Sequence, residues 1–259
     1  MNIRHIELNQ EPVDIKIATG TTGHILATTS GLENSLSISL AKNSSLNFYR
    51  LTKLDNKYQQ QSQSKIFLAQ NSCLNFYDIN LSHGQLNNMI NVDLFEPQAQ
   101  VKYYALDQLL GNSHSHTELM INHKAPHTLS EQSVRGIYAQ QSQGFFMGRV
   151  IVDKYACQSS AKQRYKAVLL SDQAKAHVLP QLEINNFDIA AQHGASIGEL
   201  DANSIFYLQS RGLSLIEAKT MLVKSFIADI INNIANLDIS VNISQQIDEA
   251  INQALGLKS

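Results

Sequence analysis

Histidine has the widest chemical reach of any side chain in this sequence. Four of the nine, His114, His116, His123 and His127, fall within fourteen residues. A metal centre needs several imidazole, thiolate or carboxylate ligands converging on one point. His114 and His116 are spaced i, i+2 and Glu118 shares their parity, so a strand would set all three on one face. Pro126 breaks the run before His127. The spacing therefore reads as solvent-facing or ladder histidines of a β structure rather than as a metal site. His193 stands apart, within His193-Gly194-Ala195-Ser196. A neutral imidazole can ligate iron, and its ordinary pKa allows proton handling near neutrality. The competing reading of His193 is a packed or hydrogen-bonded side chain.

Other chemistry has less support. Glu183, Asp188, Glu199 and Asp201 could supply the carboxylate pair of a carbohydrate-active β-helix enzyme, but nothing in the sequence fixes their separation, which decides the mechanism. Asp201 is better explained as a helix cap. Cys73 and Cys157 are the only cysteines, far apart and outside any CxxC arrangement. Nucleophile elbows, phosphate-binding loops and dinucleotide glycine motifs are absent from the sequence.

The elements that must position these residues are announced by a repeat. Asn43–Leu51 (NSSLNFYRL) and Asn71–Ile79 (NSCLNFYDI) share six of nine positions at an offset of 28, and Val101–Leu106 (VKYYAL) follows Leu74–Ile79 at an offset of 27. Leu46, Leu74 and Val101 are thus expected to stack, as are Phe48, Phe76 and Tyr103. Repeats of this length mark solenoids or propellers. Between the copies lie short alternating runs at Leu36–Leu40, Lys65–Leu68 and Gln85–Leu94, which read as further strands. Two strands per repeat with no helical signal between them fit a right-handed parallel β-helix. Asn56–Ser64, NKYQQQSQS, reads as a Gln-rich loop or polar turn.

A strand domain then hands over to helices. Leu182, Ile184 and Ile189 alternate around the turn pair Asn185-Asn186, and Gly194 and Gly198 permit backbone shapes that other residues resist. Asp201 opens a short helix that Gly212 stops. Ser214 and Glu217 form a capping box, S-x-x-E, for a helix reaching about Asn236, with Ile216, Met221, Leu222, Phe226, Ile230, Ile231 and Ile234 as its apolar stripe. A second helix is expected after Ser244, presenting Ile247, Ile251 and Leu255. The resulting division is a β-helix core over 1–200 and a C-terminal α-helical domain over 201–259.

With 43% hydrophobic and only 16% charged residues, the 259-residue chain can bury a core. A net charge of −2 gives no electrostatic footprint for nucleic acid or an anionic membrane. No apolar run is long enough to span a bilayer, and the amino terminus lacks a signal or transit pattern, so a cytoplasmic location is expected.

Within Pro180–Gly212, the string P-x-LEI, HGA, G-x-LD, FYL and SRG resembles the signature of SufD, a scaffold subunit of the Suf iron–sulfur cluster assembly system. His123, Ala125, Pro126, Ser130 and Gln132 are similar to a pattern of the same family, and Gly148, Val152, Ala161 and Gln163 to its following coils. Tyr165 stands where SufB-like chains carry a cysteine, and His193-Gly194-Ala195 where they read HEA, which places the sequence on the SufD side. The resemblance implies a non-enzymatic scaffold that pairs with a SufB-like partner near the end of the solenoid. It implies that His193 contacts transient iron or a nascent cluster shared with that partner, with no stably bound cofactor. It also implies that the helical tail docks a SufC-like ATPase, and Phe206, Tyr207, Arg211, Glu217, Met221 and Phe226 are the partner-binding residues assigned there. Two departures are visible: Ala191 replaces a cysteine common two residues before the histidine, and strands begin within about 15 residues, where SufD-like chains carry a helical region. The alternatives are a β-helix carbohydrate-active enzyme and a homo-oligomeric binding module. A homodimer through unpaired strand edges is a further expectation.

Overall fold

A computed structural model describes residues 3–234 and 237–255. The chain opens with β1 (Arg4–Leu8), β2 (Val13–Ile17), β3 (Thr22–Thr29), β4 (Glu33–Leu40) and β5 (Ser45–Thr52). It continues with β6 (Gln59–Leu68), β7 (Cys73–Ser82), β8 (Gln85–Leu94), β9 (Gln100–Leu109) and β10 (His114–His123). The last strands are β11 (Leu129–Tyr138), β12 (Gln143–Val152), β13 (Ser159–Leu169), β14 (Lys175–Ile184) and β15 (Ile189–Gly198). Odd-numbered strands form one eight-stranded parallel sheet and even-numbered strands a seven-stranded one. Each coil therefore contributes one strand to each sheet, which is a parallel β-solenoid. Helices α1 (Ala202–Ser210), α2 (Leu215–Asn232) and α3 (Leu237–Ala254) follow.

The repeat sets the register. Leu46 pairs with Leu74 and Leu74 with Val101, while Phe48, Phe76 and Tyr103 form the next column. Their rings meet edge to face at 5.1 and 5.4 Å between centroids. The repeat begins with Asn because it begins at a corner. Asn43 and Asn71 both adopt φ of 56°, a left-handed conformation that Asn tolerates better than most residues. The two side chains are also bonded to each other at 3.0 Å.

Alternation along each strand sends one set of side chains into the lumen and the other outward. The lumen is largely apolar, from Leu8 and Ile15 at one end to Ala161, Tyr165 and Ala167 at the other. It is not apolar throughout. Gln59–Ser64, expected as a loop, forms the first half of β6, with Gln60, Ser62 and Ser64 buried. This polar run becomes a strand because Ser62 and Ser64 face the buried Arg50 guanidinium, whose Nη1 donates to their hydroxyls at 3.2 and 3.1 Å.

Helices α2 and α3 lie against the outer face of the eight-stranded sheet. Tyr49, Tyr77 and Tyr104 stack there at 4.8 and 5.2 Å. Beside them cluster Ile79, Leu106 and Ile137 from the sheet, Val223, Ile227 and Ile230 from α2, and Ile239, Ile243, Ile247 and Ile251 from α3. Burying each such isoleucine contributes about 1.5–3 kcal/mol. The Ser214–Glu217 capping box is present. The stripe differs from the expected one: α2 buries Ala218, Val223, Ile227 and Ile230, and Ile234 is buried just after it, while Ile216 and Met221 are exposed. Several faces of α2 are apolar, and the sheet selects the one whose small Ala218 and Val223 allow close approach. The last turn ends at Asn232, and the expected end at Asn236 lies outside the described residues. Helix α3 begins at Leu237 rather than after Ser244, because Ile239 and Ile243 continue its buried row toward the amino terminus.

Candidate functional site at the open end of the coil

Among the described residues the final coil has no successor. Strand β15 pairs only with β13 and β14 only with β12, so each presents a free edge. Residues whose counterparts in earlier coils face a filled lumen are uncovered here.

His193 is one of them. It is exposed, and its register partner on β13 is Gln163, which in turn pairs with Gln132 on β11. Gln132 and Gln163 are buried in the lumen, so His193 is the terminal member of a lumen-facing column. Across the lumen, Gln163 Nε2 donates to the Gly148 carbonyl at 2.9 Å. Gly148 has no side chain because there is no room for one: a Cβ would meet Gln132 Oε1 at 2.8 Å and Gln163 Nε2 at 3.2 Å. Pro180 pairs with Gly148, a proline on an edge strand where no ladder donor is needed.

Ala191, two residues before His193, is half-buried at the register position of Ala161. Tyr165 is buried, its hydroxyl 3.1 Å from that of Tyr138, and burial pushes its phenol pKa well above the ordinary range. Neither position supplies a thiolate. Cys73 begins β7 and Cys157 lies in the turn before β13. Among the described residues, no three His, Cys, Asp or Glu side chains converge as a metal centre. His193 thus presents one exposed imidazole with no second metal-ligating side chain grouped around it among the described residues.

The other histidines go to separate places. His114 is exposed, and His116 stacks on Phe145 at 4.3 Å and meets Glu118 at 2.9 Å. His123 is buried, with Thr128 and Ser130 hydroxyls at 2.8 and 2.7 Å, and burial lowers its pKa to about 4. His127 occupies a left-handed corner with φ of 60°. The four carboxylates are also apart. Glu183 is on β14, Asp188 precedes β15, Glu199 follows it, and Asp201 caps α1 by accepting from Asn203 and Ser204 amides. The Ser204 hydroxyl also donates to Asp201, at 2.6 Å, and it and then the amides lower the Asp201 pKa.

Beside the open end, Leu179, Ile184, Phe187 and Ile197 are exposed, and so are Phe206 and Tyr207 on α1. Arg211 lies over the Tyr207 ring at 5.4 Å, and Glu217 is taken up by the capping box. Met221 is exposed. Phe226 is half-buried, with Arg135 over its ring at 5.6 Å. Gly194 and Gly198 have nothing within 4 Å of an added Cβ and no positive φ. The special backbone shape expected of them is not used, because the strand they occupy is regular and open.

Sequence reasoning missed Gln163, Gln132 and Gly148 as a unit. A signal existed: Gln132, Gln163 and His193 are 31 and 30 residues apart, a near-constant coil length about three residues longer than that of the earlier repeat.

Residues 8–226 match the family described as SUF system FeS cluster assembly, SufBD core domain. The chain belongs to this SufBD core family. Among its curated relatives, it is similar to an iron–sulfur cluster assembly SufBD family protein of Synechocystis, 30% identical over 159 residues that make up 61% of this chain and 35% of that protein. It is similar to SufD of Escherichia coli, 29% identical over 114 residues, or 44% of this chain and 27% of the relative. For SufD of Bacillus subtilis the identity is 29% over 99 residues, or 38% and 23%. The matched segments thus span about a third or less of these SufBD relatives. Iron–sulfur cluster assembly is the process for which that family is described. Among the described residues, no helix is long and apolar enough to cross a membrane.

Proposed function

We propose that this chain is a non-catalytic, cytoplasmic scaffold subunit of a SufBCD-type complex, pairing with a SufB-like scaffold through the open end of its solenoid. The observation that carries the reading is the uncovered terminal coil: two parallel free edges, β14 and β15, flanked by exposed Leu179, Ile184, Phe187 and Ile197. Unpaired strand edges are templates for another chain, and an exposed apolar cluster is a contact surface. His193 lies within that surface, so iron or a nascent cluster, the cargo of assembly, would receive one imidazole from this chain and thiolates from the partner. The exposed aromatic pair Phe206 and Tyr207 on α1, with Arg211 and Met221, is the surface for a SufC-like ATPase.

The test is co-purification with SufB-like and SufC-like proteins of the same organism, followed by native mass determination. A defined ternary assembly is expected. Recovery of the chain alone, or as a homodimer that excludes both proteins, would overturn the proposal.

A further inference from the structure

Among the described residues, Gln163 Oε1 is a buried polar atom without a partner at the open end, as is Gln132 Nε2 one coil further back. Gln163 is 5% exposed, and its amide orientation is fixed because Nε2 must face the Gly148 carbonyl at 2.9 Å. Flipping the amide would set two acceptors against each other. Oε1 therefore points elsewhere, and it has no hydrogen-bond partner. A buried acceptor without a donor is unfavourable. The next side chain in its column is His193, one strand spacing away.

Side chains one coil apart already bond to each other elsewhere in this solenoid. Asn75 donates to Asn47 at 2.9 Å, Asn71 to Asn43 at 3.0 Å, and Arg149 to Gln181 at 2.7 Å. Imidazole offers one N–H donor when neutral, and its tautomer is set by what that N–H meets. A histidine that binds metal through one nitrogen ordinarily donates its other N–H to a fixed oxygen.

We propose that Gln163 is the positioning residue for His193: its free Oε1 accepts the ring N–H and leaves the opposite nitrogen as the iron ligand. Gly148 belongs to the same device, because its carbonyl orients the amide and its missing Cβ makes the space. This inference rests on the reading of His193 as an iron ligand, but the orienting hydrogen bond can be tested in the chain alone.

The experiment is imidazole nitrogen NMR on the full 15N-labelled chain at about pH 8.5, where a free imidazole is neutral. His193→Ala assigns the signal. His123, buried between Thr128 and Ser130, reports whether each variant keeps its fold. The expected result is one tautomer for His193 in the wild type and the tautomer mixture of free imidazole in Gln163→Met. In a reconstituted complex, Gln163→Met is expected to weaken iron binding about tenfold or more. A free-imidazole mixture in the wild type would overturn the proposal without recourse to any variant. So would an unchanged tautomer in Gln163→Met. A fixed tautomer that depends on Gln163, together with cluster yield indifferent to His193→Ala, would uphold the positioning role and sink the iron reading instead.

Discussion

Arg50 lies wholly inside the solenoid with its guanidinium forked onto the carboxylate of Asp78, its register partner on the next coil, at 2.8 Å from Nε to Oδ1 and 2.5 Å from Nη2 to Oδ2. Burial opposes the charged guanidinium, but the Asp78 carboxylate outweighs it and holds the Arg50 pKa above its ordinary value. The remaining polar capacity is filled by Ser62, Ser64 and Asn88 around Arg50 and by the Tyr103 hydroxyl on Asp78 at 2.8 Å. Breaking such a pair strands a buried charge, so Asp78→Ala is expected to cost about 3–5 kcal/mol, and the double replacement Arg50→Met with Asp78→Leu much less. Denaturant unfolding of the three proteins checks this; equal losses in the single and double variants would contradict it.

Two desolvated groups, half-buried Asp107 and buried His123, make opposing demands on pH. Burial raises the Asp107 carboxyl from its ordinary 3.8 to about 6, despite hydrogen bonds from Asn80 and Tyr138. The folded state then holds a proton that the unfolded chain has released, so its contribution to stability falls as pH rises from about 4 to 6. Burial lowers His123 from 6.5 to about 4. Here the unfolded chain binds the extra proton, so stability falls as pH drops through the same window. In the wild type the two slopes offset one another. Asp107→Asn is expected to expose a marked loss of stability between pH 6 and pH 4, read from melting temperatures across that range. A profile unchanged by the substitution would argue against the assignment.

Glycines inside and outside the lumen should respond differently to a methyl group. The Tyr138 ring lies across Gly136 and Gly144, and a Cβ on Gly144 would sit 2.2 Å from Tyr138 Cζ. Gly144→Ala should cost about 1–3 kcal/mol through overpacking. Gly194→Ala, with open space around it, should stay within about 0.5 kcal/mol of the wild type. Thermal melts of both variants decide the comparison.

These residues also show what could be read beforehand. The columns Leu46–Leu74–Val101 and Phe48–Phe76–Tyr103 were legible because identical residues at one offset must meet in a stacked coil. The capping box and the Asp201 cap were legible because capping chemistry is local. Gln59–Ser64 was not, since its strand state depends on Arg50, which is distant in sequence. The buried face of α2 was not, because more than one apolar stripe was available and the tyrosine ladder chose between them. At the candidate site His193 stood out by residue type. Gln163 did not, because its role depends on an unpartnered oxygen that only packing creates.

Polar contacts from Arg135 and Tyr77 help hold the tail to the sheet. Arg135 forms an ion pair with Asp229 and donates from Nε to the Phe226 carbonyl at 3.2 Å, while Tyr77 donates to the Asn233 carbonyl. Arg135→Ala should loosen α2 by about 1.5–3 kcal/mol. Hydrogen exchange is expected to rise in α2 and α3 while the strands of the lumen stay protected. Uniform loss of protection would contradict this local role.

The central claim is that the open coil end and α1 serve two different partners. Native mass of the affinity-purified assembly tests it most directly, using the wild-type chain, Ala195→Arg on the terminal strand and Phe206→Asp on the exposed face of α1. The wild type should carry both a SufB-like and a SufC-like protein, Ala195→Arg should lose the SufB-like partner, and Phe206→Asp should release only the ATPase. A wild-type chain that recovers neither protein, or an assembly indifferent to both substitutions, would contradict the account.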